Sequence, residues 1–150
     1  MSDIIVCKVP VSAECPSGVK FVIPSPNVSL KTALGSIPSD TISHWVESRD
    51  NVPQDRYFRN AWSASTDAKK VLVDMAKAKA VHVEKLREVR NEKLSQLDTE
   101  FMRAIEAKDV AKQNAISAKK QALRDMPLDP GFDRHSTPDA LKAFVPESLK

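Results

Sequence analysis

The stretch Asp67–Met126 contains neither proline nor glycine. Those two cost a helix interior about 3 and 1 kcal/mol relative to alanine, so the strongest breakers are missing from the whole run. Leu86, Leu94, Leu97, Phe101 and Ile105 recur at mixed three- and four-residue steps, with Arg90 filling the gap between the first two. That spacing places them on one face of a helix with 3.6 residues per turn. A helix with such a stripe must pack it against something. Glu106-Ala107-Lys108-Asp109 forms a polar joint, and Asp109 suits the N-cap of a second helix. Beyond it Ala115, Ile116, Ala122, Leu123 and Met126 repeat with helical spacing, and Pro127 ends the run. The pattern predicts a long helix from about Asp74 to Ala107 and a shorter one from about Val110 to Asp125. An antiparallel two-helix hairpin is preferred over one continuous rod, because the shorter stripe then has a partner in the longer one.

The residues ahead of this arm read differently. Ile4–Val9 and Val19–Ile23 are β-branched and apolar, and Pro10–Gly18 between them is rich in turn residues, which predicts a β-hairpin with a long loop. Two strands alone are marginal in water, and Thr41–Glu47 supplies a third. Ser29 can cap a short helix carrying Leu30 and Leu34 and closed by Gly35. Residues 1–52 are thus expected to form a small α+β module. Residues 53–66 form an aromatic joint: Asp55 can cap a helical turn that puts Phe58, Ala61 and Trp62 on one face. Those aromatics either plug the module onto the arm or anchor a partner. Residues 67–126 are the helical arm. Residues 127–150 are a strap with a short helix in which Thr137 is the N-cap and Pro138 the first helical residue; Leu141, Phe144 and Val145 are its apolar side chains. The predicted fold class is α+β: a β-rich module, a two-helix arm and a short C-terminal helix.

Composition excludes more than it suggests. The net charge is +3, and the stretch Asp67–Met126 holds 14 Lys/Arg against 10 Asp/Glu. The acids interleave with the bases, as on a solvated helix face; a nucleic-acid stripe would hold fewer acids and more aromatics. His44, His82 and His135 are scattered, and no HExxH, Walker A or GxGxxG motif occurs, so no catalytic, cofactor or metal site is expected. His82 reads as a semi-buried, satisfied histidine. Cys7 and Cys15 flank a turn; a disulfide between them is geometrically possible, while two thiols without a secretion signal fit a reducing cytoplasm. No apolar run approaches the roughly 20 residues of a membrane span. Arg87, Arg90, Asp98, Arg124 and Asp125 read first as plain surface charge, with a buried or rim ion-pair network fixing the register of the two helices as the alternative.

The same residues carry a family resemblance. Pro53, Asp55-Arg56, Phe58-Arg59-Asn60-Ala61-Trp62, Val73-Asp74-Met75, Lys77-Ala78, His82, Leu86-Arg87, Arg90, Leu94 and Leu97-Asp98 open the pattern. Phe101-Met102, Ala104, Glu106, Asp109, Ile116, Lys119-Lys120-Gln121, Leu123-Arg124-Asp125, Thr137-Pro138 and Leu141 continue it. This pattern resembles a group of small tail-associated proteins of bacteriophages, commonly labelled tail assembly chaperone or tail-fibre-associated proteins. It covers the chain from Pro53 to Pro146, and Leu123-Arg124-Asp125 after a helical run is its most specific part. Thr is commoner in that group where Tyr57 stands, and Trp-Pro is commoner than Val145-Pro146. The resemblance implies a part in building a phage tail and brings no catalytic residues.

The expected function is therefore a non-enzymatic phage tail or virion protein. It would work through helix-mediated contacts with other tail proteins and with copies of itself, and be found in the virion or in the host cytoplasm during assembly. Leu86, Leu94, Leu97, Phe101, Ile105, Ile116 and Leu123 would pack the hairpin or join copies in an oligomer. An assembly chaperone absent from the finished particle is the alternative. A nucleic-acid-binding module using the Lys-rich arm is a second, separable by a steep salt dependence of binding. No small-molecule substrate, cofactor or membrane is expected.

Overall fold

The computed structural model describes residues 3–150 and has an α+β architecture. Contacts divide the chain into two units, one through Ala78 and one from Lys79 to Lys150.

The first unit is built on a three-stranded antiparallel sheet in the order β2-β1-β3: β1 Asp3–Lys8, β2 Val19–Val22 and β3 Ser43–Ser48. The central strand explains its own composition. Ile4, Ile5, Val6 and Cys7 are all buried, because both faces of β1 are covered, and a strand buried on both sides reads as a continuous apolar run. On one face Ile4 and Val6 meet Val19, Trp45, Val52 and Trp62. On the other, Ile5, Cys7 and Val9 meet Ala33 of the short helix α1, Leu30–Leu34, with Leu30, Leu34 and Ile37 around it. Trp45 lies directly opposite Val6 in the β1–β3 register. The Ser29 side chain accepts the Thr32 N–H, the expected cap. The long turn before β2 closes at Gly18, whose φ is +66° and where an added Cβ would stand 2.9 Å from the Val9 carbonyl oxygen, so only glycine fits. Cys7 and Cys15 are free thiols rather than a disulfide.

A second, two-stranded antiparallel ribbon was not foreseen: β4 Trp62–Ser65 and β5 Lys70–Val73. Trp62, Ala64 and Val71 press onto the Ile4/Val6/Trp45 face of the larger sheet, and the Trp62 ring stacks on Phe21 with centroids 5.3 Å apart. This corrects the extent of the helical stretch, since residues 70–73 are strand.

Helix α2, Met75–Glu106, begins after Asp74, whose carboxylate accepts the Ala76 and Lys77 N–H groups at 3.0 and 3.2 Å. It ends where Lys108 turns left-handed (φ +56°). Asp109 then caps helix α3, Val110–Asp125, by accepting the Lys112 N–H. In the second unit the largest fully buried side chains are Phe132, Met126, Leu141 and His82. Phe132 sits in a tight 3-10 turn, Pro130–Arg134, and Leu141 in α4, Pro138–Ala143, capped by Thr137 as expected. Gly131 is packed so closely that an added Cβ would lie 2.3 Å from the tip of the Phe144 ring.

Candidate functional site

The apolar stripe of α2 is covered only in part. Leu86, Leu94, Leu97 and Phe101 are half-buried, and Ile105 is 43% exposed. On α3 the two stripe residues Ile116 and Leu123 are buried at 3% each. Several contacts tie α3 to α2. Lys120 reaches the Asp98 carboxylate at 2.5 Å, and its ammonium sits 5.3 Å from the centre of the Phe101 ring. The Gln113 side-chain amide donates to the Ala104 carbonyl at 3.2 Å. A groove of about 400 Å³ runs over Leu97, Ala122 and Leu123, rimmed by Lys93, Lys119 and Glu147. Near the helix joint, Met102 and Val110 add exposed apolar surface to that of Ile105.

The strap lies against the same helices. His82 Nε2–H donates to the Phe144 carbonyl at 2.8 Å, and the His82 ring meets Phe132 edge-on at 5.9 Å. His82 is thus a buried, satisfied histidine. Phe132 and Phe144 meet edge-on at 5.1 Å, and His135 covers Phe144 at 5.0 Å. Lys79 pairs with Asp133.

Among the described residues the five charged candidates behave mostly as surface charge and do not join into one network. Arg87 pairs with Glu84 one turn back on its own helix, and Arg90 donates to the neighbouring Asn91 side chain. Asp125 accepts from Gln121 on α3, and Arg124 is exposed. Among the described residues Asp98 alone of the five is paired across the helices, to Lys120, which charge patterning did not single out. The reason is length: Glu84 and Asn91 stand within reach along the helix surface, so a local partner costs Arg87 and Arg90 less side-chain entropy than a distant one. In the aromatic joint the expected shared helical turn is corrected: Phe58 and Trp62 are buried at 4% and 3%, and Trp62 belongs to a strand of the first unit's core, which favours a packing role over an anchor for a partner.

Titration adds little to this surface. Burial pushes the Cys7 thiol up, and the Asn51 side-chain amide, with the Ser48 N–H, holds the Glu47 carboxyl below its ordinary range. Among the described residues no group of three or more His, Cys, Asp or Glu side chains is placed to hold a metal ion, and no helix is long and apolar enough to cross a membrane. What the arrangement offers chemically is apolar area and charge at a helix pair. Compared with known families, curated proteins and solved structures, the chain matches none.

Proposed function

We propose that the chain is a non-enzymatic structural component of a bacteriophage tail or its fibres, acting through helix-mediated protein–protein contacts. The observation that carries this reading is the incomplete cover on α2: a 32-residue helix keeps Leu86, Leu94, Leu97 and Phe101 only half-buried and leaves Ile105 43% exposed. Apolar area left in water is worth about 25 cal/mol for each Å² that a partner removes, so this face favours association. The tail assignment itself rests on the residue pattern running from Pro53 to Pro146.

In this reading α2 and α3 form an antiparallel hairpin, supported by the Lys120–Asp98, Lys120–Phe101 and Gln113–Ala104 contacts. The hairpin presents its stripe to neighbouring tail proteins or to further copies of the chain. Mass spectrometry of purified particles is the test: presence at a stoichiometric copy number is the expected result. Absence from particles whose assembly still requires the protein would make it a departing chaperone. Sedimentation of the wild type against Leu97→Asp and Ile105→Asp tests the helix face, with self-association expected to weaken in both variants.

A further inference from the structure

A small cleft lies within the first unit. Arg49, Arg56, Gln54, Phe21 and Trp62 line it, with Ile4 and Val52 in its floor. Arg49 and Arg56 are exposed, and neither forms an ion pair among the described residues. Two guanidiniums thus share one cleft without an anion. The Trp62 indole N–H is buried and, among the described residues, has no acceptor. Gln54 spends its amide N–H groups on the carbonyls of Arg49 and Val52, which braces the loop that carries Arg49. The Asp55 carboxylate accepts the Tyr57 N–H. Donors are in surplus here, and what the cleft wants is an acceptor carrying negative charge.

Size limits what that acceptor belongs to. The cleft holds about 40 Å³, whereas a single water needs roughly 10–15 Å³ on the same measure. It admits one carboxylate and its first carbon, not a whole metabolite. Around the mouth stand Ile23, 45% exposed, and Pro53, an apolar rim that suits the flanks of a peptide better than a free ion. A guanidinium fork matches a carboxylate with two parallel hydrogen bonds, and two forks on one anion add charge to geometry.

We propose that the Arg49–Arg56 cleft receives a glutamate or aspartate side chain, flanked by apolar residues, from a segment of a partner protein. The loop is already braced, so little ordering is needed on binding. This site does not depend on the helix face or on the phage reading.

The test uses the full chain and a randomised heptapeptide library capped at both ends, so that the only carboxylates come from side chains. Retained peptides are expected to carry an acid next to apolar residues. Their synthetic versions should quench or shift the tryptophan fluorescence saturably, since Trp62 lines the cleft. Exchanging the acid for its amide should weaken binding at least tenfold, and so should Arg49→Gln with Arg56→Gln. The double variant Arg49→Lys with Arg56→Lys should retain part of the affinity. Unchanged far-UV circular dichroism and Tm in both variants separate lost binding from lost fold. An empty selection, peptides with no enrichment of acids, or equal retention by the Arg→Gln variant would overturn the proposal. Sodium acetate that saturates the same signal at the peptide's own concentration would assign the cleft to a free carboxylate instead and overturn the peptide assignment.

Discussion

Gly131→Ala is the sharpest probe of how the second unit is locked. The ideal Cβ at this position stands 2.3 Å from Phe144 Cζ, 2.7 Å from Phe144 Cε2 and 2.9 Å from Asp129 Oδ1. Carbon atoms in contact prefer about 3.5–4.0 Å, so the Phe144 ring must retreat by more than about 1 Å. That ring is held edge-on by Phe132 and covered by His135, and each such aromatic contact is worth about 0.5–1.5 kcal/mol beyond its buried area. Overpacking of this kind costs about 1–3 kcal/mol. Taking the middle, about 2 kcal/mol, a cooperative unit the size of Lys79–Lys150 loses roughly 8–16 °C in Tm. Both tryptophans lie in the first unit and most of the helix in the second, so far-UV circular dichroism and tryptophan fluorescence follow different parts of the chain. The helical signal should melt early. Phe144→Leu removes the two closest of the clashing atoms and leaves Asp129 Oδ1, and in that background the penalty of Gly131→Ala should fall by at least half, a coupling read from the double-mutant cycle. A Gly131→Ala chain that melts like the wild type, or a penalty that survives intact beside Leu at position 144, would refute the steric argument.

Arg90→Ala and Asp125→Ala should each leave stability within about 0.5 kcal/mol of the wild type, since their partners are near neighbours on the same helix; thermal melts check this. Asp98→Asn should lower stability by no more than about 1 kcal/mol, because Asp98 is 62% exposed although Lys120 is mostly covered. Lys69 and Lys108 occupy left-handed backbone (φ +48° and +56°), where a side chain costs roughly 1–2 kcal/mol; Lys69→Gly or Lys108→Gly should raise Tm, and a fall in both would refute that accounting. Cys7 should react with a thiol reagent far more slowly than Cys15, because it is fully buried and its folded-state pKa is raised. A raised thiol pKa means the folded state keeps the proton, so this contribution is complete below the ordinary thiol range and lost as pH rises beyond it. Glu47 behaves oppositely: its lowered pKa adds stability above the ordinary carboxylate range that disappears as pH falls through the folded value. A carbon-detected titration of Asn51→Ala should show the Glu47 carboxyl moving back up.

Particular residues show why some of this was readable in advance. Ile4–Val9 announced a strand because β-branched residues fit a pleated, covered surface. Ser29, Asp109 and Thr137 announced helix starts because an oxygen at that position satisfies an orphan N–H. The β4–β5 ribbon was hidden for the converse reason. Its turn takes positive φ at Lys69 rather than at a glycine or asparagine, and Lys70–Val73 runs almost directly into α2, so nothing local punctuates it. Trp62 shows the same ambiguity: three- and four-residue offsets link it to Phe58 and Ala61, yet strand pairing with Val73 decided its conformation. Part of the second unit's heart was invisible to periodicity: Phe132 lies in a 3-10 turn, which carries no 3.6-residue signature. Of the candidate interaction face, the stripe was legible and its cover was not, because how much of Leu97 or Ile105 stays wet depends on where the strap docks.

The two tryptophans of the first unit leave a debt at its centre. Among the described residues Trp45 and Trp62 bury their indole nitrogens without an acceptor, and a donor stranded in this way forfeits about 1–3 kcal/mol. Against a typical domain stability of about 5–15 kcal/mol, that loss is large. Amide protons of β3 and β4 should therefore trade with deuterium sooner than their depth in the sheet implies, and a fitted acceptor would slow them.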